Sequence, residues 1–134
     1  MKPFHLESGM KTLRGVFYPT GHVVLMFPTE LAARDAARLL EENGFDDEAV
    51  ALITPADFSR EITSTTGDDG ALPSAGSEGD TVRRFTELAR EGHHALMIHA
   101  PRAEDSDRVM ALLKDAPVSY GQKYRHLVIE DLVV

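Results

Sequence analysis

Three segments of this chain are apolar on both sides of an extended strand, and this feature constrains the fold most. Residues 22–27 (HVVLMF), 49–54 (AVALIT) and 94–99 (HALMIH) are β-prone runs with apolar residues at both odd and even positions. Because successive side chains of a strand point to opposite faces, both faces of the predicted sheet are apolar. A sheet with one wet face would instead have alternating strands. Other structure must therefore cover both sides.

Four helices are predicted from apolar stripes and from signals at their ends. They cover about residues 30–43, 55–63, 81–91 and 103–115. Thr29 suits the N-cap of the first helix, and Gly44 followed by Phe45 is typical of a Schellman stop. Pro117 prevents the last helix from continuing.

Extended structure is also predicted near both ends. Residues 15–18 precede a tight turn at Pro19-Thr20-Gly21, which predicts a hairpin with residues 22–27. Residues 118–133 are expected to be extended, with a break near Tyr124-Arg125.

Two segments are expected to lie outside the core of a single domain over residues 1–134. Residues 1–11 are polar and predict a loose tail, and Met10 is an alternative candidate start. Residues 64–80 hold four Gly and four acids with no Lys or Arg, so they predict a flexible acidic Gly/Ser-rich loop.

The order of elements predicts an α+β protein, and two topologies fit it. A ferredoxin-like βαβ–insert–βαβ arrangement with an N-terminal hairpin strand is favoured, because the acidic loop interrupts the helical stretch before the third strand. That strand would then run antiparallel to the second. The alternative is a flavodoxin-like three-layer α/β fold with a parallel sheet.

The second sheet face leads to a prediction about assembly. Helices cover only one face of a lone ferredoxin-like domain, and a large bare apolar face is unusual on a monomer. The N-terminal segment, the insert or a second subunit must cover it. We predict a homodimer, with cover from the same chain as the competing interpretation.

Composition excludes several classes of function. The chain has 14 Lys and Arg against 22 Asp and Glu, a net charge of −8, which opposes binding to nucleic acid or anionic membranes. It has no Cys, which removes disulfides and thiolate chemistry and fits a cytoplasmic location. No apolar run approaches a membrane span of about 18 residues. Neither a nucleotide-binding loop nor another cofactor motif is present, so no cofactor is expected.

One cluster suggests ligand binding. It comprises Tyr120, Lys123, Tyr124, Arg125 and His126. Arg offers a planar fork, Lys a point charge and Tyr a hydroxyl, which together suit a small anionic ligand. The competing interpretation is an edge strand with protective charges.

The histidines do not predict a metal site. His94 and His99 point to opposite faces of one strand, while His93 and His99 lie too far apart to chelate one ion. His22 and His99 would form a polar pocket only if their strands pair. Neither a metal-ligand motif nor a catalytic motif is present, so no metal ligands or catalytic residues are assigned.

Two stretches support a resemblance. They are GVFYPTGHVVLMFPTELAARDAARLLEENGF and APVSYGQKYRHLVIEDL. They resemble uncharacterised proteobacterial proteins and, more loosely, bacterial general-stress-type βαβ domains. The resemblance implies a bacterial, cytoplasmic setting and assigns no role to any residue.

Three functional hypotheses follow. The first is a non-enzymatic regulatory or protein-interaction domain that acts as a homodimer and is linked to stress. The second is a small anionic-ligand sensor, similar in topology alone to PII and ACT modules. The third is a dimeric α/β-barrel-type enzyme that uses His22, His99 or a tyrosine for proton transfer.

Overall fold

The residues that the structure describes form one mixed six-stranded sheet and four α-helices, and the predicted α+β class is confirmed. The computed structural model describes residues 1–12, 15–65, 77–126 and 128–134. The strands are β1 (Lys2–Pro3), β2 (His22–Phe27), β3 (Val50–Ile53), β4 (His94–His99), β5 (Tyr120–Arg125) and β6 (Val128–Val133). The helices are α1 (Glu30–Glu42), α2 (Pro55–Asp57), α3 (Ser77–Arg90) and α4 (Ala103–Leu112). In the described part of the chain, no helix combines the length and the apolar composition that a membrane crossing requires.

The ends of α1 follow the signals in the sequence. The Thr29 hydroxyl accepts a hydrogen bond from the N–H of Ala32 and caps the first turn. At the other end, Gly44 adopts a φ of +100°, and the Phe45 N–H bonds back to the Leu40 carbonyl at 3.1 Å. This is the predicted Schellman stop, in which a residue without a Cβ adopts the left-handed conformation.

The short second helix also begins as predicted. Thr54 and Asp57 form a reciprocal capping box in which each side chain accepts the other residue's backbone N–H. The chain then continues as a π-helical turn over Phe58–Ile62, closed by a bond from the Thr63 N–H to the Phe58 carbonyl. The widened turn keeps Phe58 and Ile62 buried.

The strands lie in the order β1-β3-β4-β2-β5-β6. Every neighbouring pair from β3 to β6 is antiparallel, and only the short β1 pairs in parallel, with β3. The flavodoxin-like alternative therefore does not describe this sheet, because β4 runs antiparallel to β3.

One face of the sheet, here called the α1/α4 face, packs on those two helices. Val23, Leu25 and Phe27 of β2 have no exposed surface and contact this layer. The helices contribute small side chains from α1, such as Ala33 and Ala37, and larger ones near the end of each helix. Small residues on α1 allow that helix to lie close to the sheet.

The opposite face, here called the α3 face, is covered by the same chain. Val24 and Met26 of β2 are completely buried there beneath Phe58, Phe85 and other residues of the segment between β3 and β4, here called the insert. The sequence predicted that other structure covers this face, and residues of the same chain provide that cover. Because the chain supplies both layers, the sheet does not require the second subunit on which the homodimer argument rested.

The N-terminal segment belongs to this cover and differs from the two expectations for it. Lys2–Pro3 pair with β3, and Phe4 is 2% exposed, where the sequence predicted a loose tail over residues 1–11. Residues 15–18 do not form the predicted hairpin strand, because Phe17 makes only an isolated bridge with Lys11. Phe17 is instead buried on the α3 face, edge-on to Phe4.

The acidic segment predicted as a flexible loop over 64–80 lies partly outside the described residues, which omit 66–76. Its last part begins α3 at Ser77, four residues before the predicted start. At its beginning, Thr65 is buried and its hydroxyl accepts the Phe17 N–H at 3.0 Å. This bond joins the N-terminal segment to the insert.

Phe85 tests how strongly the insert stabilises the fold. Its ring is fully buried between Phe58 and Tyr120, with centroids at 5.9 and 5.4 Å. Phe85→Ala should lower the free energy of unfolding by about 3–5 kcal/mol, because it leaves a cavity in the α3 face. Urea denaturation measures this. Leu31→Ala, at a residue that is 67% exposed, is the control and should change stability by less than about 0.5 kcal/mol. Equal small losses in both variants would contradict the packing.

Candidate functional site

Lys123 is the most unusual charged residue in the described part of the chain. It lies in β5 opposite Val23 of β2 and Glu130 of β6, so its side chain points to the α1/α4 face. The residue is only 4% exposed. A buried ammonium group is costly unless partners satisfy it.

The partners of the Lys123 ammonium come from the start of α4 and carry no charge. Nζ donates to the Ser106 hydroxyl at 2.7 Å and to the Arg102 carbonyl at 3.1 Å. A lysine ammonium has three N–H donors, so one remains. Among the described residues, no carboxylate oxygen lies within 4.0 Å of this nitrogen.

A cavity of about 620 Å³ adjoins this lysine. Its wall includes Lys123, Arg125 and His126 from β5 and the following turn, Ser106 and Asp107 from α4, and Glu130 from β6. Thr20, Gly21 and Pro101 complete the side nearest β2 and β4. The cavity therefore lies where the end of β5 meets the beginning of α4.

Two pairs of opposite charges lie near the cavity. Arg125 lies 3.7 Å from Glu130, and both side chains are exposed, so this rim pair is weak and can open. The Asp105 carboxylate accepts hydrogen bonds from both the side chain and the backbone N–H of Arg102. The Arg102 guanidinium lowers the pKa of Asp105. The Lys123 ammonium lies in the cavity wall, and its positive charge adds to the lowering of the Asp105 pKa.

The structure divides the predicted ligand cluster between the two sheet faces. It brings together Lys123, Arg125 and His126 at the cavity. Tyr120 and Tyr124 alternate with them along β5, so their rings pack on the α3 face. Tyr124 borders the cavity wall, but its ring is edge-on to Phe17 and Tyr18 in the core.

The Tyr124 hydroxyl is an isolated polar group inside the α3 face. The residue has no exposed surface, and its oxygen has no hydrogen-bond partner in the described part of the structure. Burial raises the pKa of Tyr124 well above the usual value, so the hydroxyl stays protonated. Tyr120 differs, because its hydroxyl bonds to Thr81.

His22 and His99 do become neighbours, as the sequence allowed if their strands paired. They lie directly opposite each other on β2 and β4, with ring centroids 5.0 Å apart. Burial, together with the nearby His99, lowers the pKa of His22. The pair lies on the α3 side of the sheet, so it is separate from the Lys123 cavity.

Ser106 was missed by the sequence analysis, although a signal was present. It lies three residues before Val109 and seven before Leu113, which form the apolar stripe of α4. A polar residue on that stripe indicates a buried hydrogen bond. Its partner, Lys123, is distant in sequence, so only the packing of α4 against β5 identifies the pair.

Comparison with known proteins adds no assignment to this α+β chain. Neither a protein-family model, nor a curated protein, nor a solved structure matched it. The resemblance to proteobacterial and general-stress-type domains therefore stays a prediction.

The two tyrosines of β5 provide a matched test of how their hydroxyl groups are placed. Tyr124→Phe removes a buried hydroxyl without a partner, so it should raise the free energy of unfolding by about 1 kcal/mol. Tyr120→Phe removes a bonded hydroxyl and should lower it by about 1 kcal/mol. Urea denaturation at pH 7 measures both effects.

The same variants have a defined pH dependence. Above pH of about 10 the tyrosine of the unfolded chain ionises, whereas buried Tyr124 keeps its proton, so wild-type stability falls as pH rises. The advantage of Tyr124→Phe should therefore widen between pH 8 and pH 10.5. A constant difference across this range, or a loss of stability at pH 7, would contradict the burial of this hydroxyl.

Proposed function

We propose that this protein binds a small anionic ligand in the cavity beside Lys123. The observation that carries the proposal is a 4% exposed ammonium whose two hydrogen-bond partners among the described residues are both neutral. An anion in the cavity would meet the remaining N–H donor and offset the cost of burying the charge. Of the three hypotheses from the sequence, the anionic-ligand sensor has the most support.

The start of α4 favours the same ligand charge. Ala103, the first residue of this ten-residue helix, lines the cavity. The first N–H groups of a helix lack intrahelical partners, and the helix dipole favours negative charge there. Lys123 supplies an independent positive charge at the same place.

The groups available indicate a phosphate or carboxylate compound. Arg125 provides a planar guanidinium at the rim, and its weak pair with Glu130 leaves it able to turn toward a ligand. His126 lies beside it in the turn. A cavity of about 620 Å³ is within the range that holds small molecules, roughly 300–1,000 Å³.

We also propose the ferredoxin-like assignment for the central four strands. Its support is the interleaving of two βαβ units: β4 lies between β2 and β3, and β2 lies between β4 and β5. The comparison with PII and ACT modules depends on this assignment alone and adds no site residue.

The homodimer and the protein-interaction role remain predictions, and they have less support than the binding of an anion. Cover from the same chain removes the apolar face that favoured a second subunit. The sheet edges do not favour pairing either, because β1 contains Pro3 and β6 carries Glu130 and Asp131 at its centre. Two β6 strands would place like charges together. The link to stress stays a prediction from the resemblance.

The enzyme hypothesis has little support from the hydrogen bonds. Lys123 and Ser106 are close enough for a serine–lysine pair, but Ser106 donates its proton to the Ala103 carbonyl and accepts from Lys123. The lysine therefore acts as a donor in this arrangement rather than as a base. The α3 face, on which a dimeric barrel would close, is already filled.

Lys123→Met tests the proposal. Methionine keeps most of the length and removes the charge, so the unliganded variant should be as stable as wild type or more stable. A thermal-shift screen with orthophosphate, nucleotides and di- and tricarboxylates should identify anions that stabilise wild type. At 100-fold excess over Kd the stabilisation should be about 2.7 kcal/mol.

The matched control is Lys114→Met, which removes an exposed lysine near the end of α4. It should keep the wild-type response to the anion, whereas Lys123→Met should lose it, and isothermal titration calorimetry should give the same result. If no anion stabilises wild type, or if Lys123→Met responds as wild type does, the proposed function is wrong.

A further inference from the structure

The His22 and His99 pair has a geometry that the anion cavity does not use. The rings belong to directly opposed residues of β2 and β4, their centroids are 5.0 Å apart, and their planes are inclined at 57°. Opposed strand positions bring side chains of one face within contact distance. The register thus holds two imidazoles close enough for one ion to lie between nitrogens of both.

The hydrogen bond of His22 determines which of its two ring nitrogens is free. Nδ1 lies 3.0 Å from the Thr20 carbonyl oxygen. A carbonyl only accepts, so Nδ1 carries the proton and Nε2 of the neutral ring keeps its lone pair. Histidines that bind metals commonly donate their other nitrogen to a backbone carbonyl in this way. The second ring, His99, is exposed and therefore accessible from solvent.

We propose that His22 and His99 together bind one divalent transition-metal ion of the kind that prefers imidazole, namely Ni²⁺, Cu²⁺ or Zn²⁺. Each histidine supplies one nitrogen, and water fills the remaining positions. Hard ions such as Mg²⁺ and Ca²⁺ are not expected, because they require oxygen ligands.

The surroundings limit how tightly the ion is held. Among the described residues, no group of three or more His, Cys, Asp and Glu side chains is arranged to hold a metal. Lys2 is a positive charge near His22 and opposes a cation there. Binding should therefore be weaker than at a four-ligand structural zinc site, and it should depend on both rings equally.

Calorimetric titration of the untagged, metal-free chain with NiCl₂ at pH 7.5 tests the proposal. Wild type should bind one ion, and His22→Gln or His99→Gln should each weaken binding at least about 10-fold. His99 is exposed, so its variant tests the site even if His22→Gln fails to fold. His94→Gln, at the other end of β4, is the matched control and should bind as wild type does.

Electron paramagnetic resonance with one equivalent of Cu²⁺ gives a second readout. The spectrum should show two imidazole nitrogens on the copper in wild type and one in His99→Gln. No binding by wild type, a single nitrogen in its spectrum, or equal affinity in all four proteins would overturn the proposal.

Discussion

Burial of both faces of the sheet is the constraint on which the rest of the structure depends. Val23–Phe27 of β2 are all fully buried, and they contact the α1/α4 layer and the α3 layer in alternation. Burying each large apolar side chain contributes about 1.5–3 kcal/mol. A strand of this kind is stable only between two layers. The insert and the N-terminal segment form the second layer, so they belong to the fold rather than to its periphery.

The sequence predicted where the first two helices begin and where the first one ends, because these signals are local. The cap at Thr29 and the stop at Gly44 involve only neighbouring residues, as does the capping box at Thr54. It predicted that the α3 face must be covered, but the source of the cover depends on tertiary contacts. Phe4 is a lone aromatic in a polar lead-in, and Phe17 lies in a run of four residues that predicted a hairpin strand, so neither was predicted to cover this face.

The candidate sites were also predictable only in part, because their side chains meet through tertiary contacts. The alternation of side chains along β5 was enough to separate Tyr120 and Tyr124 from Lys123 and Arg125, although their closeness in the chain predicted a single cluster. The closeness of Lys123 to Ser106 follows from the packing of α4, which no spacing in the chain encodes. The pairing of His22 with His99 follows from strand register, which only the fold determines.

The same two-layer construction places the two proposed sites on opposite sides of one sheet. Lys123 faces α4 and His22 faces away from it, although β5 and β2 are adjacent. The central strands β2, β4 and β5 position the groups of both sites. A substitution at Lys123 is therefore expected to leave metal binding unchanged, and a substitution at His99 is expected to leave anion binding unchanged.

Hydrogen exchange measured by mass spectrometry over a range of protein concentrations tests the central claim most directly. If one chain covers both sheet faces, the amides of β2 and β4 should be strongly protected, and their protection should be the same at every dilution. Protection of these strands that is lost on dilution would contradict the account, because a second copy would then be supplying the missing layer.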